Sequence, residues 1–506
     1  MTRHQSKYQG RFLSTLFLFS FFGITAVHAQ EQKINAFVST LHEQKLFNGS
    51  LMIAEKDRVL FQGQTGQSNA GTQEEISSRS QFPIASVTKT FTATAILQLK
   101  AKGLLDLDQP VKKYLPEFPY GNVTIRHLLS NTSGLSQYYS LFDQEIEADG
   151  NRVITNQDII PVLKQKNIPP SFTPGDRWEY NNVNFCLAAL IVEKVSGKTF
   201  HNYMNTFVFR PSGMKDTFVP VDRRVKSKSQ VQLYGYPNLY STALKNVDSL
   251  PLPFKIEGHS NFYGNGGIVS TAADLIKFNL ALQSGKLLPK KELAEAFNPT
   301  ILNNGKTVSY KLDEKEVSYG LGWEMYTDTT HGKVVFHDGS LSGLTSILIY
   351  NLSTKQAIVM LDNTGSNAVF ASVNALMELL GNRAYVIPGK NLPREYANAV
   401  VKGDIHKGND FIRNYESNPS SFRSSERDFI RVGYDLLRNN LIKESLTVFD
   451  TASKLYPESW NVYDSFGEAL LKAGDKPKAQ EMYQKSIKLN PENKNAVEIL
   501  QKLQKI

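Results

Sequence analysis

The chain of 506 residues holds a single cysteine, Cys186, which excludes an internal disulfide and leaves the packed core to hold the fold. A nucleophilic role for Cys186 is not favoured, because its neighbours Phe185 and Leu187 read as the buried start of a helix. Nine histidines show neither an H-E-x-x-H pair nor a paired-cysteine spacing, so no metal site is expected. Gly197, Lys198 and Thr199 end like a phosphate-binding loop, yet that loop needs a glycine where Val192 stands, and no nucleotide or other cofactor is implied. Beyond the start of the chain no apolar run approaches the roughly 20 residues that a spanning helix needs. The net charge of +9 comes from basic residues scattered along the chain, not massed in a stripe, which gives no footprint for nucleic acid.

What is present begins with a leader. Arg3, Lys7 and Arg11 precede the apolar run Phe12 to Val27, and Val27, His28 and Ala29 form a small-residue cleavage site. Residues 1–29 are therefore expected to be a signal peptide cut after Ala29, making the protein periplasmic or secreted. The rest is ordinary globular composition, 41% hydrophobic and 21% charged, long enough for one large domain and a smaller one.

Three clusters carry chemistry. Ser86 opens a run from Val87 to Lys102 without glycine or proline, closed by Gly103, which predicts a helix. Positions three apart share a helix face, so Lys89 returns beside the Ser86 hydroxyl and can take its proton if burial lowers the lysine pKa. A capping serine beside a solvated lysine is the plain alternative. Tyr180 and Asn182 lie at a loop-to-helix junction before the apolar run Phe185 to Val195 and can point into one cleft; a structural tyrosine with a capping asparagine is again the plain alternative. His337 and Gly339 follow the strand Val334 to Phe336, where a histidine at a strand end can line a cleft and a glycine lets substrate approach the backbone. The Ser340 amide there could face a developing oxyanion. Around these, Ile34 to Leu46 has helical spacing, Ser50 to Ala54 and Arg58 to Gln62 read as a hairpin, Leu104 to Tyr114 as a loop, and Thr124 to Leu129 as a short helix. Gly264 to Gly267 reads as a tight packing turn, followed by a capped helix Ala272 to Leu282.

Ser86 with Lys89, Tyr180 with Asn182, and His337 with Gly339, in this order, resemble the serine β-lactamase and penicillin-binding-protein superfamily, in its class C-like branch. Supporting segments are Phe47 to Ser50, His127 to Gly134, Pro174 and Gly175, Gly266 to Asp274, and Tyr319 to Trp323. The resemblance implies an α/β fold with a β-lactamase-like antiparallel sheet flanked by helices and an all-helical lobe from about Leu107 to Phe262. It implies Ser86 as acylated nucleophile, Lys89 and Tyr180 as the proton-transfer pair, Asn182 with His337 and Gly339 as substrate ligands, and the amides of Ser86 and Ser340 as oxyanion hole. The usual third motif is Lys-Thr-Gly; here it is His337, Asp338, Gly339. A histidine is mostly neutral near pH 7, which favours an esterase or a D-amino-acid peptidase over an efficient β-lactamase.

The domain expected over residues 30–385 is followed by a linker, 386–409, and a helical module, 410–506. Gly433 matches Gly467, Phe449 matches Tyr483 and Pro457 matches Pro491, all at an offset of 34. That period resembles tetratricopeptide repeats. The expected partners are a small-molecule or peptide substrate and a protein bound by the repeats. The expected function is an exported serine hydrolase cleaving an amide or ester through an acyl-enzyme on Ser86. Two alternatives stand beside it: a class C-like β-lactamase or penicillin-binding protein, and a retired scaffold whose repeats bind a partner.

Overall fold

The computed structural model describes residues 29–504 except Ser140, 252–254 and 313–314. Of the expected leader only Ala29 is among them. The chain divides into two compact units: the first runs up to Leu233 and again from Pro251 to Tyr385, the second takes Tyr234–Leu250 and everything from Val386 onward. Among the described residues no helix is long and apolar enough to cross a membrane.

The first unit is built on one antiparallel sheet of eight strands: β1 (Gly49–Glu55), β2 (Arg58–Thr65), β3 (Tyr310–Leu312), β4 (Lys315–Tyr319), β5 (Glu324–Asp328), β6 (Gly332–Leu341), β7 (Leu344–Asn351) and β8 (Gln356–Asp362). Their spatial order is β2-β1-β8-β7-β6-β5-β4-β3, so an early hairpin is inserted beside the last strand. Ile53 lies opposite Ile358 and Leu51 opposite Met360. Because β1 and β8 are interior strands covered on both faces, their sequences run almost wholly apolar instead of alternating. Ala357, Val359 and Leu361 of β8 belong to the main core, which they share with the helix that follows Ser86.

The helices that matter here are α1 (residues 29–43), α2 (Thr88–Ala101), α3 (Ile125–Leu129), α4 (Asn182–Ser196), α5 (Ala272–Gln283) and α6 (Ala368–Leu380). Every residue of α2 from Thr88 to Leu99 is buried. A helix enclosed on all sides has no need of a polar face, and its threonines are satisfied internally: Thr90 donates to the Val87 carbonyl at 2.8 Å and Thr92 to the Gly264 carbonyl at 2.7 Å. Phe91 stacks on Phe278 of α5 with ring centroids 3.8 Å apart.

Local differences from the sequence expectations have physical causes. The helix predicted from Val87 to Lys102 begins at Thr88, and Ala85–Val87 form a separate 3-10 turn ahead of it. Leu104 to Tyr114 is not all loop, since Val111–Tyr114 make one helical turn. His337 is not at a strand end: β6 runs on through His337, Asp338, Gly339 and Ser340, paired with Leu348, Ile347, Ser346 and Thr345 of β7. Polar and glycine residues looked like a turn, but ladder pairing and burial of His337 keep them extended.

Between Leu107 and Phe262 the elements of the first unit are helical, but Tyr234–Leu250 groups with the second unit. The Leu239 amide donates to Asp435 Oδ2 at 2.7 Å, Asn398 Nδ2 donates to the Tyr240 carbonyl at 3.0 Å, and the Arg394 guanidinium lies 3.7 Å from the Tyr236 ring centroid. The second unit contains α7 (Leu392–Val401), α8 (Ile405–Ser417), α9 (Glu426–Arg438), α10 (Ile442–Leu455), α11 (Trp460–Ala473), α12 (Lys476–Leu489) and α13 (Lys494–Gln504). Residues 386–409, expected as a linker, are ordered: Leu392, Tyr396 and Ala397 of α7 are buried in this unit's core. The offset of 34 residues is structural as well as sequential, because α9, α11 and α13 begin at Glu426, Trp460 and Lys494. Gly433 sits where a Cβ would come within 2.5 Å of the Phe449 ring, and Gly467 stands in the same relation to Tyr483 at 3.0 Å. Gly433→Val is therefore expected to destabilise the second unit by about 1–3 kcal/mol, read as a lower urea midpoint of the helical circular-dichroism signal of the full chain.

Candidate active site

The centre of the site is the turn between the sheet and α2. Ala85 adopts φ +43°, a left-handed conformation that non-glycine residues rarely take, and so lifts Ser86 out of the helix that follows. Ser86 remains half-buried while Lys89, one helical turn later, is fully buried. Lys89 Nζ lies 2.9 Å from Ser86 Oγ, 2.8 Å from Asn182 Oδ1 and 2.8 Å from the Asn265 carbonyl. Burial lowers its pKa from 10.5 to about 7, against an opposite pull from Cys186, Asp338 and Glu324. As a free amine Lys89 donates to Asn182 and Asn265 and keeps a lone pair for the Ser86 hydroxyl.

Tyr180 completes the cluster. Its phenol lies beside the Ser86 hydroxyl, and burial first, then the nearby Tyr319, Asp338 and Glu324, hold its pKa well above the usual 10. The Lys89 nitrogen lies 4.7 Å from the Tyr180 ring centroid. The loop that carries Tyr180 is fastened by the buried turn after α3: the Asn131 carbonyl accepts from the Glu179 amide at 2.9 Å, and Asn131 Oδ1 accepts from the Asn181 amide and Asn184 Nδ2, both at 3.1 Å. Gln137 Nε2 donates to the Tyr180 carbonyl. Asn181 caps α4 through the Val183 amide, which leaves Asn182 at the first helical position with its carbonyl oxygen on Lys89 and its amide nitrogen 3.4 Å from the Tyr139 hydroxyl. Asn182 thus holds the lysine before it touches any substrate.

The third side of the site is β6. Its pairing with β5 stops at Phe336, opposite Glu324. Past that point β6 runs against the Ser86 turn: a Cβ on Gly339 would fall 2.4 Å from the Ile84 carbonyl oxygen and 2.9 Å from the Ser86 amide nitrogen. Ser346 of the neighbouring β7 donates to the same Ile84 carbonyl at 2.9 Å. Gly339 is thus needed so that strand and nucleophile turn can touch, a tighter constraint than access for substrate. Ser340, one residue on, is exposed.

His337 is fully buried, with Nε2 3.3 Å from the Tyr319 hydroxyl and Nδ1 2.7 Å from the Asp338 carbonyl. Burial, with the Lys89 charge nearby, lowers its pKa to about 3, so the ring is neutral across the physiological range. Glu324, also buried, accepts from the Tyr310 hydroxyl, and its carboxyl lies beside that of Asp338. Burial pushes both carboxyls up. Ligand atoms of Glu324, His337 and Asp338 lie within 4.8 Å of one another. A metal ion there would have to displace either Tyr319 or the Asp338 carbonyl from His337, so the group is better suited to hydrogen bonding.

Of the residues singled out in the sequence, Ser86, Lys89, Tyr180, Asn182, His337 and Gly339 come together here. Ser86, Lys89, Tyr180 and Asn182 are linked directly, and His337 lies beside Tyr180 with ring centroids 6.3 Å apart. Three contributors had no role assigned to them. Asn265 belongs to the glycine-rich stretch read as a packing turn; the turn is there, with Gly264 and Gly267 at positive φ, and it presents a carbonyl to Lys89. Tyr319 stood only among supporting residues. Glu324 gave no sequence signal, since a lone acid after Trp323 has no spacing to betray it.

A profile of the Beta-lactamase family matches residues 32–382. Penicillin-binding protein 4* of Bacillus subtilis is 30% identical over 368 residues, covering 71% of this chain and 78% of that protein. The crystal structure of a penicillin-binding protein from Bacillus halodurans aligns with a TM-score of 0.57 at 27% identity, covering 68% of this chain and 98% of that one. A D-stereospecific amidohydrolase from a Streptomyces species aligns with a TM-score of 0.53 at 25% identity, covering 69% and 97%.

Proposed function

This chain belongs to the Beta-lactamase family, is a serine hydrolase of the β-lactamase and penicillin-binding-protein fold, and we propose that it cleaves amide or ester bonds of D-amino-acid derivatives through an acyl-enzyme on Ser86. The observation that carries this reading is the 2.9 Å contact between Lys89 Nζ and Ser86 Oγ, with the Tyr180 ring 4.7 Å from the same Lys89 nitrogen.

Free-base Lys89 takes the Ser86 proton as Oγ attacks the substrate carbonyl; a positioned base of this kind contributes roughly 10²–10⁴-fold. The amides of Ser86 and Ser340 face the oxyanion that forms. Tyr180, whose phenol stays protonated, gives a proton to the departing amine or alcohol and recovers one from Lys89. Water then hydrolyses the ester on Ser86 by the same groups in reverse. Asn182 orients Lys89 and offers its amide nitrogen to the acyl side of the substrate.

The choice of a D-amino-acid amidase or esterase over an efficient β-lactamase is supported by neutral His337, which cannot pair with a substrate carboxylate, and by the likeness to a D-stereospecific amidohydrolase. A cleaved leader ending at Ala29 and export from the cytoplasm belong to the same proposal, as does reading the 34-residue helical repeat as tetratricopeptide-like.

A fluorescent fluorophosphonate should label the wild-type protein covalently and leave Ser86→Ala unlabelled. The same preparation should turn over D-alanyl p-nitroanilide faster than nitrocefin. Labelling that persists in Ser86→Ala places the nucleophile elsewhere and overturns the mechanism; faster turnover of nitrocefin overturns the substrate class.

A further inference from the structure

Asp338 has no part in the mechanism above, yet it occupies the position between His337 and the glycine that touches the Ser86 turn. Of the three clustered groups, His337 is 0% and Glu324 5% exposed, whereas Asp338 keeps part of its surface exposed. A carboxyl oxygen of Asp338 lies within 4.8 Å of one of Glu324, and two carboxyls close enough to share one proton keep one net negative charge.

The nearest basic group, Lys89, acts on both carboxyls through space but makes no ion pair with either. Lys89 is committed to Ser86, Asn182 and Asn265. His337 has both ring nitrogens engaged, and its contact with Glu324 is 3.8 Å between Nδ1 and Oε1. Among the described residues neither carboxylate forms an ion pair with a lysine or arginine. The edge of the cleft beside the nucleophile is therefore anionic, and a substrate brings whatever cation will meet it.

Resting on the hydrolase reading of the same site, we propose that Asp338, backed by Glu324, is a specificity-determining residue that selects substrates with a free ammonium group near the scissile bond. The substrate class is then an amide or ester of an amino acid or peptide with an unblocked amine, and substrates with a carboxylate at that place are rejected. The ammonium donates to the outer oxygen of Asp338, while the proton shared with Glu324 and the Tyr310 hydroxyl hold the pair in place.

Binding to the full-length Ser86→Ala protein tests charge selection whether or not the hydrolase reading stands. Isothermal titration would compare D-alaninamide, N-acetyl-D-alaninamide and N-succinyl-D-alaninamide, which put an ammonium, a neutral amide and a carboxylate-bearing amide in turn on the amine side of one primary amide. D-alaninamide should bind about tenfold or more tightly than its acetylated form, and N-succinyl-D-alaninamide most weakly. Adding Asp338→Asn, an isosteric change, should reduce the first ratio to about twofold or less, and Asp338→Glu should restore part of it. Equal binding of the first two ligands, no measurable D-alaninamide binding up to about 10 mM, or a ratio that survives Asp338→Asn overturns the proposal. Failure of fluorophosphonate labelling in the wild type would instead sink the hydrolase reading and leave these ratios to be judged by themselves.

Discussion

Lys89→Met lowers kcat/KM by about 10³-fold or more, and the activity left behind no longer depends on pH between 6 and 9. Methionine has nearly the length of lysine and suits a fully buried position facing Tyr180 and Phe185. The chain therefore folds, with the Asn265 carbonyl and Asn182 Oδ1 deprived of a donor at a cost of about 1–3 kcal/mol for each group left unsatisfied. The sign of the pH effect follows from burial. Only the free amine accepts the Ser86 proton, and its pKa is lowered from 10.5 to about 7, so wild-type kcat/KM rises through pH 7 and levels off above 8. Stability carries the same signature. Between pH 7 and 10.5 the unfolded chain holds a proton on this lysine that the folded chain does not, so the wild type gains stability as pH rises through that window. Lys89→Met lacks that gain, and denaturation midpoints at pH 7 and 9.5 read the difference. A wild-type rate that is flat through pH 7, or a methionine variant with the wild-type pH profile, would remove Lys89 from the role of base.

The second large effect comes from a single added methyl group. In Gly339→Ala the new Cβ would lie 2.4 Å from the Ile84 carbonyl oxygen, 2.5 Å from Ser346 Oγ and 2.9 Å from the Ser86 amide nitrogen. Two of these are backbone atoms that no rotamer change can move, so β6 and the Ser86 turn must separate. A displacement of about 1 Å in the nucleophile or the oxyanion donors costs roughly 10²-fold in rate, and overpacking costs about 1–3 kcal/mol of stability. The expected outcome is fluorophosphonate labelling slowed about 100-fold with the far-ultraviolet circular dichroism unchanged. Labelling at the wild-type rate would show that the strand and the turn are not in the contact described.

Which parts of this protein could be read without coordinates follows from how local each signal is. The helix after Ser86 and the spacing of Lys89 depend on neighbouring residues alone, and both are found within a residue or two of the expected bounds. The β1–β2 hairpin and the capped α5 were legible for the same reason. Where several local cues compete, sequence reading fails: His-Asp-Gly-Ser looks like a turn, and ladder pairing with β7 keeps it a strand. The stretch 386–409 looks like a linker because of its prolines and glycines, yet an apolar stripe of Leu392, Tyr396 and Ala397 finds a core to join.

By itself the sequence determined the family, the placing of Lys89 one helical turn from Ser86, and the 34-residue period of the C-terminal helices, because each is written in residue types at fixed short spacings. Tertiary structure alone decided that the amine is buried and so lowered toward neutrality, that Asn265 and Asn182 hold it, and that Glu324 stands behind Asp338. Those facts depend on burial and on contacts between residues far apart in the chain, and neither solvent exclusion nor long-range proximity leaves a local mark on the order of amino acids.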